Sequence, residues 1–256
     1  MSMLKPRRFL LIFCLIMFVP VNTALAQGLS ALGMPALTSE TTNGETTYSL
    51  SLQILVLMTA LTVLPSLVLG MTAFTRIIIV LSILRQALGT QQTPPNQVLI
   101  AIALFLSFFI MSPVFELLYL ETINPYLDGT LPMEVAVSQG LATMKEFMVS
   151  NTRIDTLNMF ADLSKSGPFQ DKESIPISIV LPAFITSELK TAFEIGFLIF
   201  LPFLVIDMVV ASILMSLGMM MLSPMLISLP FKLLLFVLVD GWSMTIGSLS
   251  ATFLVV

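Results

Sequence analysis

The chain has 256 residues, 57% of them hydrophobic and only 10% charged, with a formal net charge of −4. Soluble domains average about 45–50% apolar and about 25% charged residues, so this composition suits lipid or a large apolar assembly interface, and with no basic face it does not suit nucleic acid. There is no histidine, which excludes Ser-His-Asp and Cys-His nucleophile pairs and any His-containing metal site.

Lys5, Arg7 and Arg8 precede an apolar core from Phe9 to Val19, which Pro20 breaks, and Ala24-Leu25-Ala26 follows as a small-x-small cleavage site. Residues 1–26 are therefore expected to be a signal peptide, with Gln27 as the mature start. The core falls short of the ~20 residues of a bilayer span, and an uncleaved anchor is the other reading. The only cysteine, Cys14, lies in this segment. Its removal leaves no disulfide and no thiol nucleophile. No catalytic, cofactor or metal site is expected.

Residues 27–48 carry Gly, Ser, Thr and Asn with little apolar content and read as a flexible leader. Residues 49–119 read as an N-terminal apolar helical hairpin. Its first run, Leu50 to Leu84, is longer than one bilayer span needs, so two pieces with a bend near Pro65 to Gly70 are expected. Gly89 is a helix stop, Pro94 and Pro95 forbid continuation, and Val98 to Tyr119 is the next run, with Pro113 inside it.

Residues 120–181 form an acidic stretch, read as a small helical extracytoplasmic region. Met133, Val137, Leu141, Met144 and Met148 recur at helical spacing; Thr152 to Asp155 resembles a capping box before a second stripe of Ile154, Leu157 and Ala161. The bias of Lys and Arg puts Arg76, Arg85 and their loop on the cytoplasmic side and the acidic middle outside, in agreement with a cleaved signal.

Residues 182–256 read as a C-terminal apolar hairpin whose two runs meet at Met219, Met220 and Met221. Gly218 can take φ > 0 and end the first helix; Pro224 suits the first turn of the second. These two are the expected hinge. Pro202, Pro224 and Pro230 should bend the runs. Charges interrupt them too. The midpoint of Asp207 and Lys232 falls between Met219 and Met220, so in an antiparallel hairpin both reach the same height and can pair, within a chain or between chains, unless each is accommodated alone. Lys190 and Glu194 are spaced i,i+4 as an ordinary helix pair. With Glu188, they are otherwise candidates for contact with another subunit. Asp240 lies near the end of the second run.

The stretches "RIIIVLSILRQALGTQQTPPNQVLIAIALFLSFFIMSPVFE", "PAFITSELKTAFEIGFLIFLPFLVIDMVVAS" and "LGMMMLSP" closely resemble the FliP family of type III export-gate components, over the chain from about Ser49 onward. The resemblance implies an all-α integral membrane protein with long kinked hairpins. It would assemble as a pentamer, with FliQ and FliR, into a helical conical gate at the periplasmic side of the bacterial inner membrane in the flagellar basal body. Unfolded flagellar subunits would pass through, alongside other membrane proteins of the export apparatus. It implies that the methionine loop is a gasket in the closed pore. Flexible, unbranched methionine suits a deformable apolar constriction; a loop packed on lipid or a neighbour is the plainer alternative. Other readings are an injectisome export component, an ion-conducting subunit built on Asp207, and an intramembrane protease built on Asp207 and Asp240.

Overall fold

Asn43-Gly44 separates two threonine-rich stretches, and an Asn-Gly pair between extended runs is a strong hairpin signal. The computed structural model describes residues 37–42, 45–50, 52–90, 92–166, 169, 174–219 and 222–253. In it strands β1 (Leu37–Thr42) and β2 (Glu45–Leu50) pair antiparallel, from Leu37↔Leu50 to Thr42↔Glu45. These strands fall in the second half of the expected leader, where β-branched threonines in both runs favour a pleated ribbon. The signal-peptide reading of residues 1–26, and the leader up to residue 36, lie outside the described residues.

Every other regular element among the described residues is helical. The order is α1 (Leu52–Gly70), α2 (Phe74–Ala87), α3 (Asn96–Leu118), a π-helical turn (Tyr119–Ile123), α4 (Asn124–Leu127), α5 (Met133–Ser150), α6 (Ile154–Leu163), α7 (Ile177–Ser216), α8 (Pro224–Leu238) and α9 (Gly241–Ala251). The continuous helical stretch Asn96–Leu127 and the 40-residue α7 are each long and apolar enough to cross a membrane. The broken pairs α1 with α2 and α8 with α9 are further candidates. At 1.5 Å per residue α7 is about 60 Å long, twice the roughly 30 Å of bilayer hydrocarbon.

The chain divides into two compact units, Met1–Ser66 and Leu67–Val256, with the division inside α1. The first holds the β-ribbon and most of α1. In the second, α2 and α7 form the centre. The buried positions of α2 (Arg76, Ile77, Val80, Leu81, Leu84, Ala87) and of α7 (Ile179, Val180, Ala183, Phe184, Ser187, Glu188, Ala192, Gly196) each trace one helical stripe. Leu99, Ala103, Met111 and Val114 of α3, Phe147 and Met148 of α5, and Leu249 and Phe253 complete the main core. Phe147 meets Phe184 edge-on at 6.1 Å, tying α5 to α7. A second cluster joins Leu84, Ala87 and Leu88 to Phe203 and Phe236.

The bend expected near Pro65 to Gly70 falls just past Gly70: Pro65 lies inside α1, and the chain turns at Met71–Ala73, where the Thr72 hydroxyl donates to the Leu69 carbonyl at 2.8 Å. A proline bends a helix without ending it when the run on both sides stays helical. Pro182 and Pro202 likewise lie inside α7, and Pro230 inside α8. The second arm of the C-terminal hairpin breaks instead at Asp240, whose φ of 49° ends α8, and α9 leaves at 64°; the Asp-Gly pair there is a turn signal. The capping box does not form. Arg153, not Thr152, is the residue before α6, its N–H bonds the Ser187 hydroxyl at 3.0 Å, and Thr152 turns its hydroxyl back to the Met148 carbonyl.

Gly196 allows α2 and α7 to approach: a Cβ there would lie 2.4 Å from Ile83 Cδ1 and 3.2 Å from Ile83 Cβ. Gly196→Ala is expected to cost about 1–3 kcal/mol, read as a lowered melting temperature in detergent. Adding Ile83→Ala should recover part of that loss, because the new methyl fills the space vacated.

Candidate functional site

Polar side chains inside apolar helices need partners, because an ion or amide taken from water loses its solvation. Three clusters in the second unit meet this need. In the first, Arg76 of α2 grips Glu188 of α7. Nε donates to Oε2 at 2.8 Å and Nη2 to Oε1, while Nη1 donates to both the carbonyl and the hydroxyl of Thr252 at 3.0 Å. The Phe253 ring covers the guanidinium, with Cζ 3.8 Å from its centroid. Arg76 is 3% exposed and Glu188 0%. A planar, five-donor guanidinium suits this two-pronged, stacked arrangement better than a lysine would.

In the second cluster Lys232 of α8 donates to Asp207 Oδ2 at 2.5 Å and to the Ala87 carbonyl, at the end of α2, at 3.1 Å. The Ser228 hydroxyl donates to the other carboxylate oxygen at 2.5 Å. Both oxygens of Asp207 are thus occupied. Lys232 is only 2% exposed, and it sits where a cation also meets the negative end of α2. The two charges meet within one chain.

The third cluster is more open. Arg153 Nη2 donates to Glu194, and Nε to the Thr191 hydroxyl at 3.3 Å. The expected Lys190–Glu194 pair is replaced, because Arg153 arrives from α6 onto the same face of α7. Glu188 is not available to another subunit; its carboxylate is fully enclosed by its own chain. Arg76 is likewise not a solvated loop charge. Of the two arginines used to orient the chain, Arg85 alone lies at the loop, donating to Asn96 Oδ1 at 2.6 Å. Asp240 is exposed and Asp207 is spoken for, so the two aspartates do not form a dyad. Among the described residues no group of three or more His, Cys, Asp or Glu side chains gathers.

The hairpin turn is built from its caps. Gly218 has φ 72°, its N–H donates to the Met215 carbonyl at 3.1 Å, and the Met219 N–H donates to the Leu214 carbonyl at 3.0 Å. These are the paired bonds of a Schellman ending, which needs a left-handed residue at this position. Pro224 opens α8 in its first turn. Met219 is 43% exposed, and Leu217, Leu222, Met225 and Leu226 around it are exposed as well. Met220 and Met221 lie outside the described residues. The described side chains on either side of the turn are therefore apolar and left uncovered by their own chain.

The sequence model of the FliP family matches residues 57–249, which includes all three clusters except Thr252 and Phe253, and the whole hairpin turn. The chain belongs to the FliP family. Among its relatives, the flagellar biosynthetic protein FliP of Cereibacter sphaeroides is 64% identical over 93% of this chain and 81% of the relative. That of Pectobacterium carotovorum subsp. carotovorum is 50% identical over 98% and 95%, and that of Bacillus subtilis 51% identical over 80% and 93%.

Sequence reasoning did not single out Arg76, Ser228, Thr252 or Phe253 as site residues. For Arg76 a signal existed: an arginine in an apolar run calls for a carboxylate, and Glu188 is one in another run. Ser228 stands one helical turn before Lys232, on the face that meets Asp207. Nothing marked Thr252 and Phe253.

Arg76→Met strands a buried carboxylate and is expected to cost about 3–5 kcal/mol, measured by thermal unfolding in detergent. Arg76→Met combined with Glu188→Met should be much milder than either change alone. At the turn, Gly218→Val forces a branched residue into the left-handed region and should cost about 1–2 kcal/mol, with Gly218→Asn close to the parent.

Proposed function

We propose that this chain is a membrane subunit of the flagellar protein export gate. Several sibling copies, five in a ring, together with FliQ and FliR, surround a channel for unfolded flagellar subunits, and the Met219–Met221 loop closes it. The observation that carries this reading is the family match, which runs without interruption through both apolar hairpins and the methionine turn. The relatives that cover most of the chain are named flagellar biosynthetic proteins, which favours the flagellar branch over an injectisome.

The exposed surface supports the same reading. In the most apolar stretch of α7 only 11% of the residues are buried. Phe193, Phe197, Leu198, Val205 and Met208 are exposed along it, and Leu234, Val237 and Leu238 along α8. A helix of about 60 Å cannot hide all of that surface in roughly 30 Å of hydrocarbon. Packing against sibling chains in a cone lifted toward the periplasm would cover the remainder. On this reading residues 1–26 are removed at the inner membrane, residues 120–181 face the periplasm, and the chain carries out no catalysis. An ion-conducting role would need a carboxylate free to exchange protons, whereas Asp207 is held by Ser228 and Lys232.

The loop is the part to test. Methionine side chains bend around a passing polypeptide and close again, and an apolar constriction excludes water and ions when closed. A Met219→Ala, Met220→Ala, Met221→Ala chain should assemble but leak ions, measured as membrane depolarisation in a strain lacking the native gene. A triple variant as tight as the parent would refute the gasket.

A further inference from the structure

The C-terminal hairpin is anchored unevenly. Below Asp207, α7 contributes to both hydrophobic cores. Beyond it the described residues 208–219 and 222–227 bury a single side chain, Leu214. On the α8 arm, burial begins at Ser228 and continues at Lys232 and Phe236, one stripe of successive turns. The boundary on both arms is the Asp207–Ser228–Lys232 cluster. Ser228, 0% exposed, donates to Asp207 Oδ1 across the hairpin and leaves Oδ2 to Lys232, which in turn holds the end of α2 through Ala87.

We propose that this cluster is the pivot of the gate, with Ser228 as its positioning residue: residues 208–219 and 222–227 deflect about it as the two arms of a tip when the channel opens, and the rest of the second unit stays in place. The inference rests on the pore reading above. The tip has no core of its own to resist displacement, and its outer surface is left for sibling copies to hold. The body below cannot follow, because Lys232 bonds both α7 and α2, and Phe236 packs on Phe203 at 6.4 Å between ring centroids. A carboxylate clamped from two sides keeps the arms in register while allowing the segments beyond it to bend. Losing Ser228 leaves the charge pair intact, so the pivot loosens without exposing an unpaired ion.

The test uses the full chain in its assembled membrane complex. With Cys14→Ser, a single spin label is placed on the tip by Met215→Cys or on the body by Leu238→Cys; these positions are 61% and 74% exposed. Ser228→Ala should raise the mobile spectral component at position 215 about tenfold, the effect of losing one hydrogen bond to a charged group, and leave position 238 unchanged. Equal mobility in parent and Ser228→Ala at position 215 would overturn the proposal, as would an equal rise at both positions. Lys232→Arg, which keeps the charge, should lie between parent and Ser228→Ala at position 215; no change there counts against the pivot. The pore reading fails separately: if the methionine triple variant does not leak while the label at 215 still responds to Ser228→Ala, the tip pivots but does not gate.

Discussion

A guanidinium with almost no access to solvent holds the second unit together. Taking Arg76 and Glu188 out of water costs several kcal/mol per ion, and the attraction between them offsets this only with good geometry and no idle donors. Here the requirement is met from two segments distant in sequence: the carboxylate from α7, and the end of the chain, which brings the backbone and hydroxyl of Thr252 and the face of Phe253. The pair works as a registration device. α2 can lie against α7 at one height only, and the end of the chain must return to cover it. The apolar stripes around it supply attraction without direction. The ion pair supplies the direction.

From that fixed point the chain grades toward freedom. Gly196 lets α2 and α7 stay in close contact about one more turn past Ala192. Lys232 then ties the end of α2 to both arms of the hairpin. Beyond Ser228 and Asp207 the described residues are mostly exposed and apolar, with Leu214 alone buried, around a glycine-capped turn. On the proposed export-gate reading, stiffness is placed where subunits keep shape, and softness where a polypeptide passes. Charges appear at the transition because buried ion pairs tolerate little misplacement, whereas methionine tolerates a great deal.

Much of this was legible in the sequence. Long, mostly apolar runs announced the membrane-length helices, and the antiparallel arithmetic of positions 207 and 232 matched charges that the fold brings to 2.5 Å. Gly218 and Pro224 carried their caps in their identity. What escaped notice has physical reasons. Pro65, Pro202 and Pro230 read as bends, and each lies inside a helix that continues past it, because a proline removes one hydrogen bond, too little to end a long apolar helix. Asp240-Gly241 looked like a mere charged interruption and was the real break. Glu188, Glu194 and Lys190 looked alike on one helix, yet the partner of each carboxylate comes from a different element, Arg76 or Arg153, and helical spacing alone says nothing about which element will dock. The Asn43-Gly44 signal was present but sat in a segment whose composition spoke for disorder.

The central claim is that the methionine turn of each chain faces its siblings around an axis and not the acyl chains of the membrane. A Met219→Cys, Cys14→Ser chain, expressed with its native partners and oxidised in intact membranes, addresses that claim directly. Disulfide-linked pairs of this chain should form in high yield and vanish on reduction. A thiol that stays monomeric under oxidation, and is instead modified by a lipid-soluble maleimide, would contradict the account.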